Sequence, residues 1–265
     1  MKQSFFSQLW HRGPLSWAII RNEECKLLSK RILNPPILEI GCGDGFVTQL
    51  AFGKRLKIDV GIDLDPKEIS RAQKTNIYKR LEQVDILHNH YPNSSFNTVF
   101  ANSVLEHIKD LDTTLSEIYR LLKKGGQFIN ASPITTYTEL LFYYRVFSFL
   151  KLGYLAKLYG KLINDVFFHR HLLTPQEWRK KLEKVGFRVE ILTTYLSPHA
   201  IALHDFFLPP AIYTRVLKKY TGKMVFLESF RNHFFPSLAP SIEKYLNRKS
   251  KTQKRANIFF VVSKI

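Results

Sequence analysis

Cysteine is scarce in this sequence: only Cys25 and Cys42 occur among its 265 residues. Two isolated cysteines exclude the disulfide framework of small secreted domains, and neither they nor the nine histidines follow a metal-ligand spacing. We therefore expect no bound metal ion. A chain without disulfides also suits a reducing compartment, which predicts a cytoplasmic protein.

Long uncharged apolar runs are missing as well. In residues 1–20 the apolar side chains are interrupted by His11, Arg12 and Pro14, and no small-residue cleavage site follows. No stretch of the chain reaches the roughly 20 apolar residues that a membrane-spanning helix requires. The sequence therefore predicts neither a signal peptide nor a transmembrane segment.

Acidic residues are few, since 22 Asp and Glu stand against 40 Lys and Arg and give a formal net charge of +18. The imbalance is strongest after residue 133, where 22 of the basic residues but only 8 of the acidic ones lie. A basic half favours phosphate-bearing partners. Nucleic acid, an anionic membrane surface and a pyrophosphate-linked small molecule all remain open on this ground.

Apolar residues, by contrast, are plentiful: 45% of the chain is hydrophobic and 14% is aromatic, which excludes general disorder. Short apolar runs alternate with helical patterns from residue 36 onward. The runs that predict strands are "PPILEIG", "LKIDVGIDLD", "RLEQVDIL", "SFNTVFANS", "QFINASP" and "FRVEILTTYL". Such alternation predicts an α/β fold with a doubly wound, mostly parallel sheet, whose ligands bind at the carboxyl ends of the strands.

A glycine-rich turn follows the first predicted strand. Gly41, Gly43 and Gly45 lie between this strand and a predicted helix, where the backbone must turn tightly and approach a ligand closely. Phe46 stands where the dinucleotide-binding pattern has its third glycine. The turn therefore favours a nucleoside without a pyrophosphate cradle.

Two aspartates support the same interpretation. Asp63 ends the second predicted strand, 18 residues after Gly45, and Asp85 lies at the end of the third. A carboxylate at the first of these positions can accept two hydrogen bonds from a ribose diol. The turn and both aspartates together predict a nucleoside site at one edge of the sheet.

These residues belong to a longer series of motifs. In chain order the series reads "ILEIGCGDG", "VGIDLDP", "VDIL", "FNTVFANSVLEHI" and "EIYRLLKKGGQFINASP", over about residues 36–133. It resembles the successive motifs of class I S-adenosylmethionine-dependent methyltransferases and is most similar to the ubiquinone/menaquinone biosynthesis methyltransferase-like (type 11) group. The resemblance implies a seven-stranded Rossmann-like sheet with a reversed last strand, for which "ANIFFVVSKI" is the candidate. It also implies S-adenosyl-L-methionine as cofactor and S-adenosyl-L-homocysteine as product.

The resemblance further implies a set of cofactor-binding residues near the ends of the first four strands. They are Glu39, Gly41, Cys42, Gly43, Gly45, Asp63, Leu64, Asp85, Ile86 and Asn102. On this basis Glu39 would support the methionine amino group, and Asp63 would hold the ribose hydroxyls. Asp85 would accept a hydrogen bond from the adenine amino group.

Three members of this set would complete the site. The resemblance implies that Leu64 and Ile86 pack beside the adenine ring and that Asn102 lines the methionine end. A separate fragment, "NPP" at residues 34–36, is like the tetrapeptide that holds amino-group acceptors in some methyltransferases. It precedes the first strand instead of following the fourth, so we interpret its prolines as fixing the path of the chain into the sheet.

A general base is useful when a hydroxyl accepts the methyl group. His107, in "LEHI" beside the expected methionine end, is the catalytic candidate because imidazole titrates near neutral pH, at ~6.5. The alternative is that His107 only packs or caps the loop. His169 and His171 flank Arg170 on the expected acceptor side, where they could bind an anionic substrate or lie at the surface.

We predict a single methyltransferase domain over residues 1–265. Its parts along the chain are an N-terminal helical lid (1–33), a cofactor-binding core (34–133), a helical cap insertion (134–172) and the C-terminal part of the sheet (173–265). The last part contains an insertion at about 197–256, where the family commonly has a short hairpin. A helix break at Gly153 would let the following helix lie on a membrane or cover an apolar acceptor.

The sequence thus predicts a methyltransferase acting on a small-molecule or lipid-linked acceptor, with an anionic membrane surface as a further partner. A peripheral position on the inner membrane surface would follow. One alternative, motivated by charge alone, is an RNA methyltransferase. Another is a non-enzymatic membrane-surface binding protein that retains the fold.

Overall fold

The chain builds one seven-stranded sheet in the computed structural model, which describes residues 4–209, 238–248, 250 and 252–265. The strands are β1 (Ile37–Ile40), β2 (Ile58–Asp63), β3 (Tyr78–Gln83), β4 (Phe96–Asn102), β5 (Leu122–Pro133), β6 (Phe187–Tyr195) and β7 (Asn257–Lys264). Their order across the sheet is β3-β2-β1-β4-β5-β7-β6.

The pairing of the strands confirms the predicted architecture. β1 pairs in parallel with β2 and β4, β2 with β3, and β4 with β5, whereas β7 runs antiparallel to β5. The sheet is therefore doubly wound and mostly parallel, with the reversed last strand that "ANIFFVVSKI" was expected to form. Strand order changes direction between β1 and β4, and open α/β sheets bind ligands at the carboxyl ends beside such a switch.

Ten helices have defined bounds in the described part of the chain. They are α1 (Phe5–Arg12), α2 (Leu15–Leu28), α3 (Phe46–Phe52), α4 (Pro66–Gln73), α5 (Leu111–Leu121), α6 (Thr136–Leu140), α7 (Phe142–Phe149), α8 (Gly153–Val166), α9 (Pro175–Val185) and α10 (Pro198–Phe206). Short 3-10 helices cover Ile86–His88 and Leu105–His107, and residues 238–246 are also helical. Among the described residues, no helix is both long enough and apolar enough to cross a membrane.

The chain divides into two compact units. The first, here called the sheet unit, comprises Leu27–Thr135, Phe167–Thr194 and Asn257–Ile265. The second, the helical unit, comprises Met1–Lys26, Thr136–Val166 and Tyr195–Ala256, within which residues 1–3, 210–237, 249 and 251 lie outside the described residues. Much of the predicted 197–256 insertion falls on those residues.

The core of the sheet unit explains why its strands read as continuous apolar runs. All four residues of β1 are buried, as expected for a parallel strand covered on both faces. On one face the ring of Phe260 in β7 lies 5.6 Å from Phe128 in β5 and 5.3 Å from Trp178 in α9, between centroids. Buried aromatic pairs of this kind hold α9 on the sheet.

The segment Thr174-Pro175-Gln176-Glu177 predicts a capping box with proline at the first helical position, and α9 begins with it. Thr174 Oγ1 accepts a hydrogen bond from Glu177 N at 3.2 Å, and Glu177 Oε2 accepts from Thr174 N at 2.7 Å, which forms the predicted capping box. The helix ends at Gly186, which adopts a left-handed conformation with φ of 109°. The segment Asp65-Pro66-Lys67-Glu68 predicts the same cap at α4. Only half of it forms there, because Asp65 accepts from Lys67 N but Glu68 pairs with Arg71.

Two strand predictions were wrong at their ends. The third strand covers Tyr78–Gln83 and stops before "VDIL", because Asp85 turns the chain by accepting a hydrogen bond from Leu87 N at 2.9 Å. The pattern of "LDTTLSEIYRLLKKGG" predicts a helix that ends at Gly125 and Gly126, but the fifth strand begins at Leu122 and includes both glycines. The pairing of Leu122 with Phe96 of β4 draws this segment into the sheet.

Within the N-terminal segment Pro14 predicts one helix that starts there, but the chain forms two, of which the first precedes Pro14. The earlier helix, α1, is capped by Ser4 and buries Phe6, Leu9 and Trp10 on one face. Their spacing is that of an amphipathic helix, but the segment is only eight residues long. A helix this short is stabilised by packing within the folded chain and not by its own propensity.

The helical unit contains the predicted break at Gly153: α7 ends at Phe149 and α8 begins at Gly153. α8 turns Ala156, Gly160 and Ile163 inward. At Gly160 a Cβ atom would overlap the side chain of Thr138, so the backbone of α8 packs closely at this point.

A buried polar cluster lies in α10 of the helical unit. His204 Nδ1 lies 2.9 Å from the carbonyl oxygen of Ser16, and its Nε2 lies 3.1 Å from the hydroxyl of Tyr137. Because a carbonyl can only accept, Nδ1 carries the proton and Nε2 accepts from Tyr137. Asp205 accepts hydrogen bonds from Tyr159 OH at 2.5 Å and Tyr143 N at 3.0 Å.

Candidate active site

The glycine turn lies at the carboxyl end of β1. Gly41, Gly43 and Gly45 have positive φ values of 65°, 53° and 71°, which side chains rarely tolerate. At Gly41 the methyl groups of Val104 occupy the place of a Cβ atom, whereas at Gly43 no atom lies within 4 Å of that place. The turn is therefore closed on one side and leaves open space beside Gly43, as a closely approaching ligand requires.

Tyr78 supports the turn from the neighbouring strands. Its ring lies where a Cβ atom would extend from Gly45 and from Gly61, and its hydroxyl donates a hydrogen bond to Glu39 Oε2 at 2.8 Å. Sequence analysis missed this residue. Its only sequence signal is the pair of glycines, whose missing side chains make room for the ring.

Glu39 is the buried carboxyl group of the site, with 3% of its surface exposed. Thr48 Oγ1 donates to its Oε1 at 2.6 Å and Tyr78 to its Oε2. Burial raises the pKa of Glu39 to about 8, although both hydrogen bonds favour the ionised form. A carboxyl group in this state is suited to ionise when a ligand brings a positive charge close to it.

Asp63 joins the glycine turn to the end of β2. Its Oδ2 accepts from Gly43 N at 2.8 Å, and its Oδ1 accepts from Asp65 N at 2.9 Å. A carboxylate offers about four lone-pair sites, so two backbone donors leave it capacity for a diol. Cys42 also links the turn to β2, because its N–H donates to the Ile62 carbonyl at 3.0 Å. Burial raises the pKa of the Cys42 thiol, which keeps it neutral.

The next strand end carries Asp85, which caps the 3-10 helix through its bond to Leu87 N. Ile86, directly after it, is buried. Leu64, after Asp63, is 65% exposed, an unusual position for a large apolar side chain next to a polar turn. An exposed leucine and two carboxylates on adjacent strand ends fit the apolar ring and the polar edges of an adenosine.

β4 brings the last two predicted site residues to the same edge. Asn102 ends this strand, one residue beyond the pairing of Ala101 with Ile40 of β1. His107 ends the 3-10 helix that follows. The structure therefore brings all ten predicted cofactor residues to the carboxyl ends of the first four strands, whereas their individual roles stay predictions.

His107 has a defined orientation. Its Nδ1 lies 3.3 Å from the carbonyl oxygen of Phe168, and its Nε2 lies 3.9 Å from Glu106 Oε1. The ring stacks on His169 with centroids 5.9 Å apart. With Nδ1 donating to the carbonyl, a neutral His107 carries its lone pair on Nε2.

The segment after α8 is fixed to the same 3-10 helix. The backbone N–H groups of Arg170 and His171 both point to the carbonyl oxygen of Glu106, at 2.7 and 3.3 Å. The sequence singled out His107, His169, Arg170 and His171 separately, and the structure brings them together. Among the described residues, no three His, Cys, Asp or Glu side chains group as metal ligands would.

The residues at this edge fit S-adenosylmethionine. A buried carboxyl group suits its amino group, a backbone-braced aspartate suits its ribose, and an aspartate beside buried and exposed apolar side chains suits its adenine. Open space at Gly43 permits the close approach that this arrangement needs.

Comparison with known proteins gives the same result. Residues 38–130 match a family model described as a methyltransferase domain. Over 185 residues the chain is 28% identical to a demethylmenaquinone methyltransferase of Lactobacillus johnsonii, covering 63% of this chain and 73% of that one. Over 111 residues it is 30% identical to a probable S-adenosylmethionine-dependent methyltransferase of Mycolicibacterium smegmatis, covering 40% of this chain and 41% of that one.

The fold also has solved counterparts. A Thermotoga maritima protein described as an S-adenosylmethionine-dependent methyltransferase and possible histamine N-methyltransferase superposes with a TM-score of 0.57. It is 17% identical, with coverage of 95% of this chain and 92% of that one, so the likeness concerns the fold. Residues 38–130 therefore carry a methyltransferase domain, and the relatives, the fold and the site together support S-adenosylmethionine as its methyl donor.

Proposed function

We propose that this enzyme transfers the methyl group of S-adenosylmethionine to a small, apolar or lipid-linked acceptor. The observation that carries the methyl-transfer part is the glycine turn with open space at Gly43, beside which the carboxyl groups of Glu39 and Asp63 lie. The relative named for demethylmenaquinone supports a small-molecule acceptor.

The cofactor, when bound, supplies a methyl group on a positively charged sulfur. The nucleophile of the acceptor attacks the methyl carbon in line with the sulfur, which is the leaving group. Catalysis then depends mainly on alignment and on exclusion of water. In this chain Asp63 would hold the ribose, and Glu39 would pair with the amino group. The open space at Gly43 would let one cofactor molecule contact both side chains.

His107 would act as general base for a hydroxyl acceptor. The carbonyl of Phe168 fixes Nδ1 as the protonated nitrogen, so Nε2 is the atom that would take the acceptor's proton. The Glu106 carboxyl group, 3.9 Å from Nε2, would stabilise the resulting positive charge.

The acceptor would be determined by the inserted segments. The chain leaves the sheet after Pro133, returns to it for β6 and leaves it again until Asn257, which pairs with Pro133 across β5 and β7. The described inserted segments are rich in aromatic and basic residues, which supports an apolar or lipid-linked acceptor and work at an anionic membrane surface. Apart from charge, nothing in the described residues favours RNA.

The cofactor site is tested by calorimetric titration with S-adenosylhomocysteine. Loss of two charge-assisted hydrogen bonds in Asp63→Ala is expected to weaken binding by about 2–4 kcal/mol, or roughly 30- to 1,000-fold. Asp59→Ala is the matched control, because Asp59 lies on the same strand and also accepts from backbone, at Ile37 N. Equal affinity of both variants would contradict the assignment.

The acceptor class is tested by following labelled methyl groups into products. Candidate quinones, lipid-linked phosphates and small hydroxy compounds are offered beside total RNA under equal conditions. Methylation of an apolar or lipid-linked compound is the expected result. Methylation confined to RNA would overturn the proposed acceptor and leave the cofactor site intact.

A further inference from the structure

The turn between α7 and α8 and the outer side of α8 expose a group of large apolar side chains. This group, here called the α7–α8 surface, consists of Phe149, Leu150, Leu152, Tyr154, Leu155, Leu158 and Leu162. Their exposed fractions run from 40% to 86%, with Phe149 and Tyr154 the highest. Single exposed leucines are ordinary, but seven large exposed apolar side chains between Phe149 and Leu162 indicate an interaction surface.

The orientation of α8 about its own axis is fixed by the close packing of its inward face, so its outer side stays exposed. Ala156, Gly160 and Ile163 form its inward face, and the side chain of Thr138 fills the space beside Gly160. Leu155, Leu158 and Leu162, spaced i, i+3 and i+7, therefore form a stripe on the opposite side.

Basic residues accompany the exposed apolar ones. Arg145, Lys151, Lys157 and Lys161 are all exposed, whereas Asp165 is the sole acidic residue between Leu141 and Val166. By helical geometry Lys157 and Lys161 lie beside the leucine stripe, so their ammonium groups can reach toward phosphates while their stems cover apolar surface. An apolar stripe with a basic border is typical of helices that lie in an anionic membrane interface.

The length of α8 agrees with that position. Its 14 residues extend about 21 Å, which is less than the roughly 30 Å of a bilayer's apolar core. Tyr154, near the start of the helix, has the amphipathic ring that favours the boundary between lipid and water. A two-fold pairing with a second copy is disfavoured, because it would bring the lysine borders of both copies together.

We propose that the α7–α8 surface docks the enzyme on an anionic lipid bilayer, with α8 lying in the plane of the interface. Docking would bring the enzyme to a lipid-linked acceptor and in this respect rests on the proposed function. The binding itself requires neither cofactor nor turnover.

The first test is co-sedimentation of the full chain with two kinds of vesicle. One contains phosphatidylcholine alone, and in the other about a third of the lipid is anionic phosphatidylglycerol, which gives the surface a negative potential. Binding to the anionic vesicles is expected, and Lys151→Gln/Lys157→Gln/Lys161→Gln should weaken it about 100-fold. The matched control Lys54→Gln/Lys180→Gln/Lys184→Gln removes three exposed charges elsewhere and should retain most of the binding.

A second variant separates insertion from attraction by charge alone. Leu155→Ser/Leu158→Ser/Leu162→Ser changes exposed side chains, so its thermal unfolding should match the wild type while vesicle binding is lost. A fluorescent reporter, Tyr154→Trp, should shift to shorter wavelength on anionic vesicles, whereas Lys180→Trp should not.

Three results would overturn the proposal. They are equal vesicle binding by the leucine variant and the wild type, no spectral shift at position 154, or self-association that the leucine variant abolishes without any vesicle binding. The last result would assign the surface to a second copy of the chain. Since none of these measurements involves methyl transfer, failure here leaves the proposed activity to be tested separately.

Discussion

Glu39 shows how one buried side chain couples ligand binding to protons. Burial raises its pKa to about 8, so at pH 7 the carboxyl group is mostly protonated in the absence of a ligand. An amino group bound beside it would favour the ionised form. We expect binding of S-adenosylhomocysteine at pH 7 to release up to one proton from Glu39, with the release falling to zero well above pH 8.

Calorimetry in buffers of different ionisation enthalpy measures this release. Glu39→Gln has no titratable group at this position and should show only the proton balance of the ligand's own amino group. A release that is the same in the wild type and in Glu39→Gln would refute the coupling. Circular dichroism of the variant checks that loss of one hydrogen bond to Thr48 or Tyr78 leaves the fold intact.

His107 gives the second prediction at this scale. If its Nε2 removes a proton from a hydroxyl acceptor, kcat/KM should rise with pH as the protonated form of this base is lost. His107→Gln should lower the rate about 100- to 10,000-fold and remove this pH dependence. His171→Gln, which loses a contact to the Lys109 carbonyl, should keep both the rate and the profile.

The site was partly predictable because its chemistry depends on local rules. The positive φ of Gly41, Gly43 and Gly45 can be anticipated from their position between strand and helix. The roles of Thr48 and Tyr78 could not be predicted from local rules. Thr48 lies on α3 and Tyr78 on β3, whereas Glu39, to which both donate, lies on β1. The sequence shows no period or spacing that connects them.

At the scale of elements, α10 carries a histidine that opposes protonation. Burial lowers the pKa of His204 to about 4 from an ordinary value of about 6.5. Between these values the unfolded chain binds a proton that the folded chain does not, so stability is lost as pH falls. From pH 6.5 to 5 the loss amounts to about 1.6 kcal/mol in the free energy of unfolding.

Denaturant unfolding at several pH values checks this prediction. His204→Gln should have a flatter pH dependence over the same range, whatever its absolute stability. His199→Gln is the control on the same helix, since His199 is only half-buried beside the Leu246 carbonyl. A slope that persists in His204→Gln would locate the acid sensitivity in another group.

Element ends divide into those set locally and those set by pairing. The N-caps of α4 and α9 were predictable, because Asp65 and Thr174 bond to backbone two or three residues away. The start of β5 was not, since Leu122 is extended only by its pairing with Phe96. The sequence "EIYRLLKK" favours a helix locally, but pairing with β4 makes its last residues a strand. A short stretch of sequence around Leu122 does not contain that pairing partner.

The whole molecule carries a formal net charge of +18, which opposes the compact state by self-repulsion. Exposed ion pairs contribute little to the free energy of unfolding. Screening by salt should therefore weaken the repulsion among the basic residues more than it weakens attraction within the ion pairs. We expect Tm to rise by a few degrees between 20 and 200 mM sodium chloride, conditions under which the screening length falls to below about 10 Å. Differential scanning fluorimetry measures the shift, and a falling Tm would contradict it.

The same reasoning supplies a control. Lys54→Gln/Lys180→Gln/Lys184→Gln lowers the net charge by three and should reduce the dependence of Tm on salt. Repeating the series with sodium sulfate distinguishes general screening from binding of a divalent anion, which would raise Tm at much lower concentration.

The ring of Tyr78 has a consequence for how this enzyme can diverge. The ring fills the space beside Gly45 and Gly61, and the hydroxyl donates a hydrogen bond to Glu39. A side chain at either glycine would therefore collide with the ring. A lineage that gained a side chain at position 61 would first have to replace the aromatic ring with something smaller. Homologues that carry a side chain at position 61 should therefore have a residue smaller than tyrosine at position 78, whereas Gly45 should be kept for its positive φ.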